Sequence, residues 1–354
     1  MKTLRIALSA ALLLIGTVGA PLKAQTAAPP PLSAKDRQEI VASLSASLRQ
    51  RYIFPDVGER AASAIGAALA AGDYDAMPDA ATFTARLSSD ISAIAHDKHL
   101  GVWSGGAAPP PAANARPRPR HEAGIVRADR LAGGIGYVEI IGFAEKPLFQ
   151  EVLDKVMIRL KGSRALIIDE RRNHGGDPAA VAYLVSFLVA RGQPVNDIVS
   201  RKFGTTDFTR ETYRAVPTPV SFPGVPVYVL TSHETFSGGE ELAYDLQALH
   251  RATVIGEVTG GGANPTGTVD LGHGAEAMIP FGRAENPATR TNWEGHGVQP
   301  DIAAPEGDAL KLALEQLGQM PVMTIEQASV QQLFTPRTTP RPASARRLRQ
   351  IIAG

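Results

Sequence analysis

A chain of 354 residues with a formal net charge of +1 and no cysteine is constrained before any motif is read. The near-neutral balance gives no argument for a nucleic-acid partner. The missing cysteines exclude disulfides, thiolate metal sites and a cysteine nucleophile. Apolar content of 44% and charged content of 20% are ordinary globular values, in a length that suits one large domain and one small one.

The first 24 residues read as a secretory signal peptide. A short basic start (Lys2, Arg5) precedes an apolar run over 6–18, with Ala20 and Ala24 as candidate last residues of a cleaved segment. The run is short for a bilayer span; an uncleaved anchor is the alternative. The expectation is a periplasmic or secreted protein with no stable membrane anchor after cleavage. Residues 25–34 are Pro/Ala-rich and read as a linker.

Three amphipathic helices are predicted next, in a helical domain over 35–105. Ser33 and Asp36 form a capping-box pattern ahead of Ile40, Leu44 and Leu48. A second helix covers 61–71 and stops at Gly72. A third starts near Asp79, with Phe83, Leu87, Ile91 and Ile94 as its apolar stripe. The domain ends in His96, Asp97, Lys98 and His99. Favourable charges at a helix C-terminus are one reading of this cluster. A metal set of His96, His99 and Asp97 is another, but no HExxH or Cys/His framework supports it, and no metal is expected. Residues 106–123, rich in Pro and Arg, read as an exposed linker.

An α/β domain is predicted over 124–318. Strands at 135–141, 165–169, 225–231, 252–256 and 277–280 alternate with helices at 148–160, from Asp177-Pro178 onward, at 238–249 and at 308–317. The tail, 319–354, carries several Pro and Arg residues and suggests no function.

Three glycine-bearing turns follow strands: Gly175-Gly176, Gly238-Gly239 after Ser237, and Gly260-Gly261-Gly262. Such glycines let the backbone approach a ligand closely. No Lys-Ser/Thr follows a glycine loop and no GxGxxG opens a first βαβ unit, which leaves phosphate binding without support. Ser237 stands at a strand-to-helix turn, where it is either an ordinary N-cap or a nucleophile beside the free N–H groups of the helix start.

Read together, five segments resemble the tail-specific, or carboxy-terminal-processing, serine peptidases. They are DKHL at 97–100, DERRNHGG at 169–176, TFSGGEELAYD at 235–245, RATVIGEVTGGGA at 251–263 and WEGHGVQPDI at 293–302. Within that family the chain is most similar to the branch of interphotoreceptor retinoid-binding protein and the tricorn core protease, over roughly residues 35–315. The resemblance implies an α/β core of the ββα-spiral, crotonase/Clp-protease-like type with an N-terminal helical bundle. No PDZ-like segment fits between His99 and Ile135.

The resemblance also implies roles. Ser237 falls on the nucleophile, His99 on the general base and Glu294, 57 positions after the serine, on the acid that polarises the base. Gly238 and the Gly175-Gly176 pair fall on the oxyanion donors. Lys98 stands where that branch carries a serine. The processing branch uses a lysine base about 25 positions after its serine, and here that position is Gly262. His174 and His296 are the substitutes for His99. The implied activity is a serine endopeptidase acting near polypeptide C-termini, with a polypeptide substrate and no cofactor. A homo-oligomer is left open. The alternatives are a non-catalytic binder of a hydrophobic ligand or peptide on the same scaffold, and hydrolysis of a non-peptide ester by the same serine.

Overall fold

The computed structural model describes residues 32–77, 79–105 and 123–318. The expected signal peptide, the Pro/Arg linker and the tail lie outside the described residues. Among those described, no helix is long and apolar enough to cross a membrane.

The chain opens with α1 (Ala34–Arg51), α2 (Pro55–Ala71) and α3 (Ala80–Ala95). Local chemistry sets their ends. Ser33 and Asp36 form the reciprocal capping box at the start of α1. Gly72 closes α2 in the left-handed region, φ 81°, and Asp79 caps α3. Ile40, Leu44, Leu48, Ile65, Phe83, Leu87 and Ile91 face one another in a single apolar core. The helices do not close that core alone. Strands β1 (Gly101–Ser104), β9 (Thr266–Gly272) and β10 (Ala275–Pro280) form an antiparallel sheet in the order β1-β10-β9. Leu271, Ala275, Ala277 and Ile279 from that sheet complete the helical core.

The central sheet has six strands in the order β12-β8-β7-β4-β3-β2. They are β2 (Ile125–Leu131), β3 (Ile135–Ile140), β4 (Ala165–Asp169), β7 (Val227–Thr231), β8 (Thr253–Gly256) and β12 (Ile302–Ala303). All neighbours are parallel except β2 and β3. Side-chain alternation, with helices on both faces, explains why β4 is apolar from Ala165 to Ile168. Leu166 and Ile168 meet α4 (Lys146–Leu160), α5 (Pro178–Val185) and α6 (Gly238–Ala248) on one face. Ala165 and Ile167 meet α7 (Glu306–Gln316) on the other. A third sheet, β11-β5-β6, is antiparallel: β5 is Pro194–Arg201, β6 is Phe208–Arg214 and β11 is Gly282–Glu285.

The expected α/β core with an N-terminal helical bundle is therefore observed. The interval between β1 and β2, residues 105–124, is too short for a further folded domain. The sequence reading assigned no strand between residues 190 and 224. The β5–β6 hairpin carries almost no apolar alternation on β6, whose side chains are all exposed or half-buried, so pairing rather than patterning defines it.

Candidate active site

The loops after β4, β7 and β8 leave the same end of three adjacent parallel strands. That is the crevice position of open α/β sheets, outside the carboxyl ends of the strands. Backbone and side-chain bonds knit these loops together. The Phe236 N–H donates to the Asn173 carbonyl at 2.8 Å, and Thr235 Oγ1 donates to the Glu170 carbonyl at 2.8 Å. The Gly260 N–H donates to the Thr235 carbonyl at 2.9 Å.

Ser237 is the residue before the first turn of α6 and has φ 53° and ψ −120°. A non-glycine residue at positive φ is strained by of order 1–3 kcal/mol and persists only where its surroundings hold it. Here the hold is visible. The Ser237 N–H donates to Glu240 Oε2 at 2.9 Å. Glu240 is fully buried and accepts three more donors from the third glycine turn: Thr259 Oγ1 at 2.5 Å, Gly261 N–H at 2.5 Å and Gly262 N–H at 2.8 Å. Burial pushes its carboxyl up, and these hydrogen bonds oppose the shift. One carboxylate thus ties the serine turn to the loop after β8.

Gly175 and Gly176 pass directly against this turn. A Cβ at 175 would lie 2.6 Å from Ser237 Cβ, and one at 176 would lie 1.9 Å from the Phe143 carbonyl oxygen. Both glycines have positive φ, 96° and 140°. Neither position admits a side chain. The Gly175 N–H donates to Asn173 Oδ1 at 2.8 Å, so of this pair Gly176 keeps its donor. A Cβ on Gly238 would sit 3.1 Å from the Gly176 nitrogen. Among the described residues, neither the Gly238 nor the Gly176 N–H donates to the chain. Two open donors stand side by side next to a serine.

His99 arrives from the other direction. α3 ends at Ala95, His96 closes it in the left-handed region at φ 52°, and the chain turns through Asp97 and Lys98 into β1. The His99 ring lies against the Phe236 ring at 4.6 Å between centroids. Both rings fill the space above Gly262, where a Cβ would come within 2.6 Å of His99 Cε1 and 2.4 Å of Phe236 Cζ. Gly262 is glycine because the two rings occupy its side-chain volume. Burial lowers the His99 pKa, against the opposing pull of Asp97, so the imidazole is neutral near pH 7. His99 Nδ1 is buried without a hydrogen-bond partner, and no hydrogen bond joins His99 to Ser237.

Two carboxylates stand at this corner. Glu294 Oε2 accepts the Ala263 N–H at 2.5 Å, and its Oε1 lies at 3.5 Å from the Lys98 backbone nitrogen. Burial, with Asp97 adding, pushes the Glu294 carboxyl up to about 7, against the Ala263 hydrogen bond. Asp97 is buried and accepts Tyr52 Oη at 3.0 Å, Asn264 Nδ2 at 2.9 Å and the His99 N–H at 2.9 Å. The Lys98 ammonium is bound to the Gly260 carbonyl at 2.6 Å.

The structure thus brings Ser237, Gly238, Gly175 and Gly176 together on one side, and His99 and Glu294 together on the other. Phe236 and Gly262 join the halves. The two substitutes for His99 lie at the edges of this arrangement in sequence, next to Gly175 and two residues after Glu294. His296 is exposed and pairs its Nδ1 with the Glu294 carbonyl at 2.9 Å. His174 is half-buried on the turn before Gly175. Sequence reasoning gave Glu240, Tyr52 and Asn264 no role at the site. Glu240 was legible as the acid three residues after an N-cap serine. Nothing in the sequence marks the other two. Trp293 is buried and donates its indole N–H to the Gly262 carbonyl at 2.7 Å.

The sequence profile of peptidase family S41 matches residues 134–304. The profile of the N-terminal domain of peptidase S41 in eukaryotic IRBP matches residues 33–126. A carboxy-terminal-processing protease of Bartonella bacilliformis is 27% identical over 187 residues, a match spanning 49% of this chain and only 39% of that relative. A Parabacteroides merdae crystal structure described as a peptidase superposes with a TM-score of 0.59 at 19% identity, over 81% of this chain and 97% of that one. A lipoprotein from Streptococcus agalactiae gives 0.56 at 16% identity, over 82% and 96%. These two likenesses speak for the fold alone. With the two profiles running in succession along the described chain, the protein belongs to peptidase family S41, a family of serine-type hydrolases.

Proposed function

We propose that the protein is an exported serine endopeptidase that hydrolyses peptide bonds near polypeptide C-termini through Ser237, His99 and Glu294. The observation that carries this reading is the pair of open N–H donors, Gly238 and Gly176, beside a serine held at positive φ. An N-cap serine needs neither the strain nor the second donor. The C-terminal preference comes from the name of the Bartonella relative, and export from the apolar start of the chain.

In this mechanism a neutral His99 takes the proton of Ser237 Oγ as that oxygen bonds to the scissile carbonyl carbon. The carbonyl oxygen becomes an oxyanion between the Gly238 and Gly176 N–H groups. Each such donor is worth about 3 kcal/mol in a comparable site. The imidazolium then protonates the departing amine, and water releases the acyl group by the same proton path. Glu294 and Asp97 supply negative charge beside the imidazolium. The Ser237–His99 hydrogen bond forms as substrate binds, since catalytic contacts in free enzymes are commonly long.

The test is cleavage of an unfolded protein by purified protein, wild type beside Ser237→Ala and His99→Ala, with fluorophosphonate labelling in parallel. Loss of cleavage in both variants, with folding intact and labelling confined to Ser237, is the expected result. A substrate whose C-terminus is locked in a folded domain should be cut more slowly than one with a free C-terminus. A second reading, a non-catalytic binder of a hydrophobic ligand or peptide, draws support from the Phe236 ring packed on His99 and the missing Ser–His bond. Absence of both cleavage and labelling in the wild type would favour it.

A further inference from the structure

The corner that carries His99 is also a set of metal donors. Asp97, His99 and Glu294 each offer one ligating atom, and the three atoms lie within 4.8 Å of one another. The sequence reading weighed a different set, His96 with His99 and Asp97, and expected no metal. His96 is exposed at the end of α3, and Glu294, distant in sequence, takes its place.

Each of the three ligands retains capacity. His99 Nδ1 is buried and unpartnered. Asp97 Oδ1 accepts only the His99 N–H, and Glu294 Oε1 only the long approach of the Lys98 N–H. The Asp97 carboxylate is oriented from behind by Tyr52 Oη and Asn264 Nδ2, the kind of outer support that fixes metal ligands. Two carboxylates and one imidazole suit zinc, which binds such atoms at about 2.0–2.2 Å and takes water as a fourth ligand. Tetrahedral bonds of that length place ligand atoms about 3.5 Å apart, so side-chain shifts of about an ångström close the site.

We propose that Asp97, His99 and Glu294 form an inhibitory zinc site, in which a bound Zn²⁺ holds the imidazole and withdraws it from Ser237. Binding of the ion does not depend on catalysis; its effect on turnover rests on the reading of His99 as the base.

The test is calorimetric titration of zinc chloride into the full chain carrying Ser237→Ala, which cannot digest itself. One Zn²⁺ per chain is expected, with affinity lowered at least about tenfold by adding Glu294→Gln or His99→Ala. Asp97→Asn should do the same; Glu294→Gln, at a partly exposed and isosteric position, keeps the test decisive if that variant misfolds. Wild-type cleavage should fall over the same zinc range and recover with EDTA. Zinc binding that is absent, or indifferent to both Glu294→Gln and His99→Ala, overturns the site. Binding with full cleavage overturns the inhibition. Site-dependent binding in a protein that never cleaves would sink the peptidase reading and leave the zinc site standing.

Discussion

The serine turn and the histidine corner face each other and are held in opposite ways. Ser237 is fixed by three main-chain N–H groups and one hydroxyl converging on one buried carboxylate, Glu240, in which both oxygens are used. His99 is fixed by packing on Phe236 over a bare glycine, and its Nδ1 has no partner at all. A saturated polar network is rigid, and an unsatisfied one is adjustable. In the proposed mechanism the nucleophile is therefore preset, while the base is poised to accept a proton, a hydrogen bond or an ion. On that reading the difference places adjustability at the group whose protonation changes during the proposed turnover.

The strongest way to break this contrast is to empty the serine side. Glu240→Ala leaves four donors, three of them buried, facing a void and should cost about 3–5 kcal/mol, read as a lower urea midpoint. Glu240→Gln keeps the shape and should cost less. A loss under about 1 kcal/mol for Glu240→Ala would mean the turn holds itself.

The next residue sharpens the contrast, because Glu241 is as buried as Glu240 but lacks its donors. Its Oε1 is unpartnered, and so is Oδ2 of Asp245 one helical turn on. Burial pushes the Glu241 carboxyl up to about 7, with Asn196 opposing and Asp177 adding. Burial also pushes Asp245 well up, with Glu241 adding and Asn286 opposing. Both folded-state values exceed the unfolded ones, so the folded protein holds more protons than the unfolded chain above the ordinary carboxylate range, for Glu241 up to about pH 7. The stabilisation from Glu241 is full below its unfolded value and is lost as pH rises through about 7; that from Asp245 is lost as pH rises through its own raised value. Denaturation against pH should show that decline, on the order of 3 kcal/mol for Glu241, and Glu241→Gln should flatten it. An unchanged slope in the variant would assign the proton elsewhere.

On the histidine side, Gly262→Ala drives a methyl group into both rings. It should cost about 1–3 kcal/mol of stability and, by displacing the base about an ångström, about a hundredfold in cleavage rate. Full cleavage by this variant would show that His99 is not held where it acts. The smallest effect is expected for Tyr52→Phe, which removes one of three donors to Asp97. About 1 kcal/mol of stability should go, with a lowered kcat rather than a raised KM if Asp97 orients His99 for the chemical step.

The sequence by itself determined what depends on neighbours along the chain. The capping box at Ser33, the stop at Gly72, the Asp177-Pro178 helix start and the doubly apolar β4 follow from caps, φ preferences and side-chain periodicity. The glycine turns announced a close approach, and their grouping with Ser237 announced a family. Tertiary structure alone decided what depends on partners distant in sequence. β6 exists because β5 pairs with it, and the helical core closes only with residues of β9 and β10. Asp97 meets Tyr52 and Asn264 across 45 and 167 positions of sequence. The use of the Gly175 donor by Asn173, and the exclusion of any side chain at 262 by two rings, follow from distances of a few ångströms between loops. No local periodicity encodes such distances; the stacking of three parallel strands does.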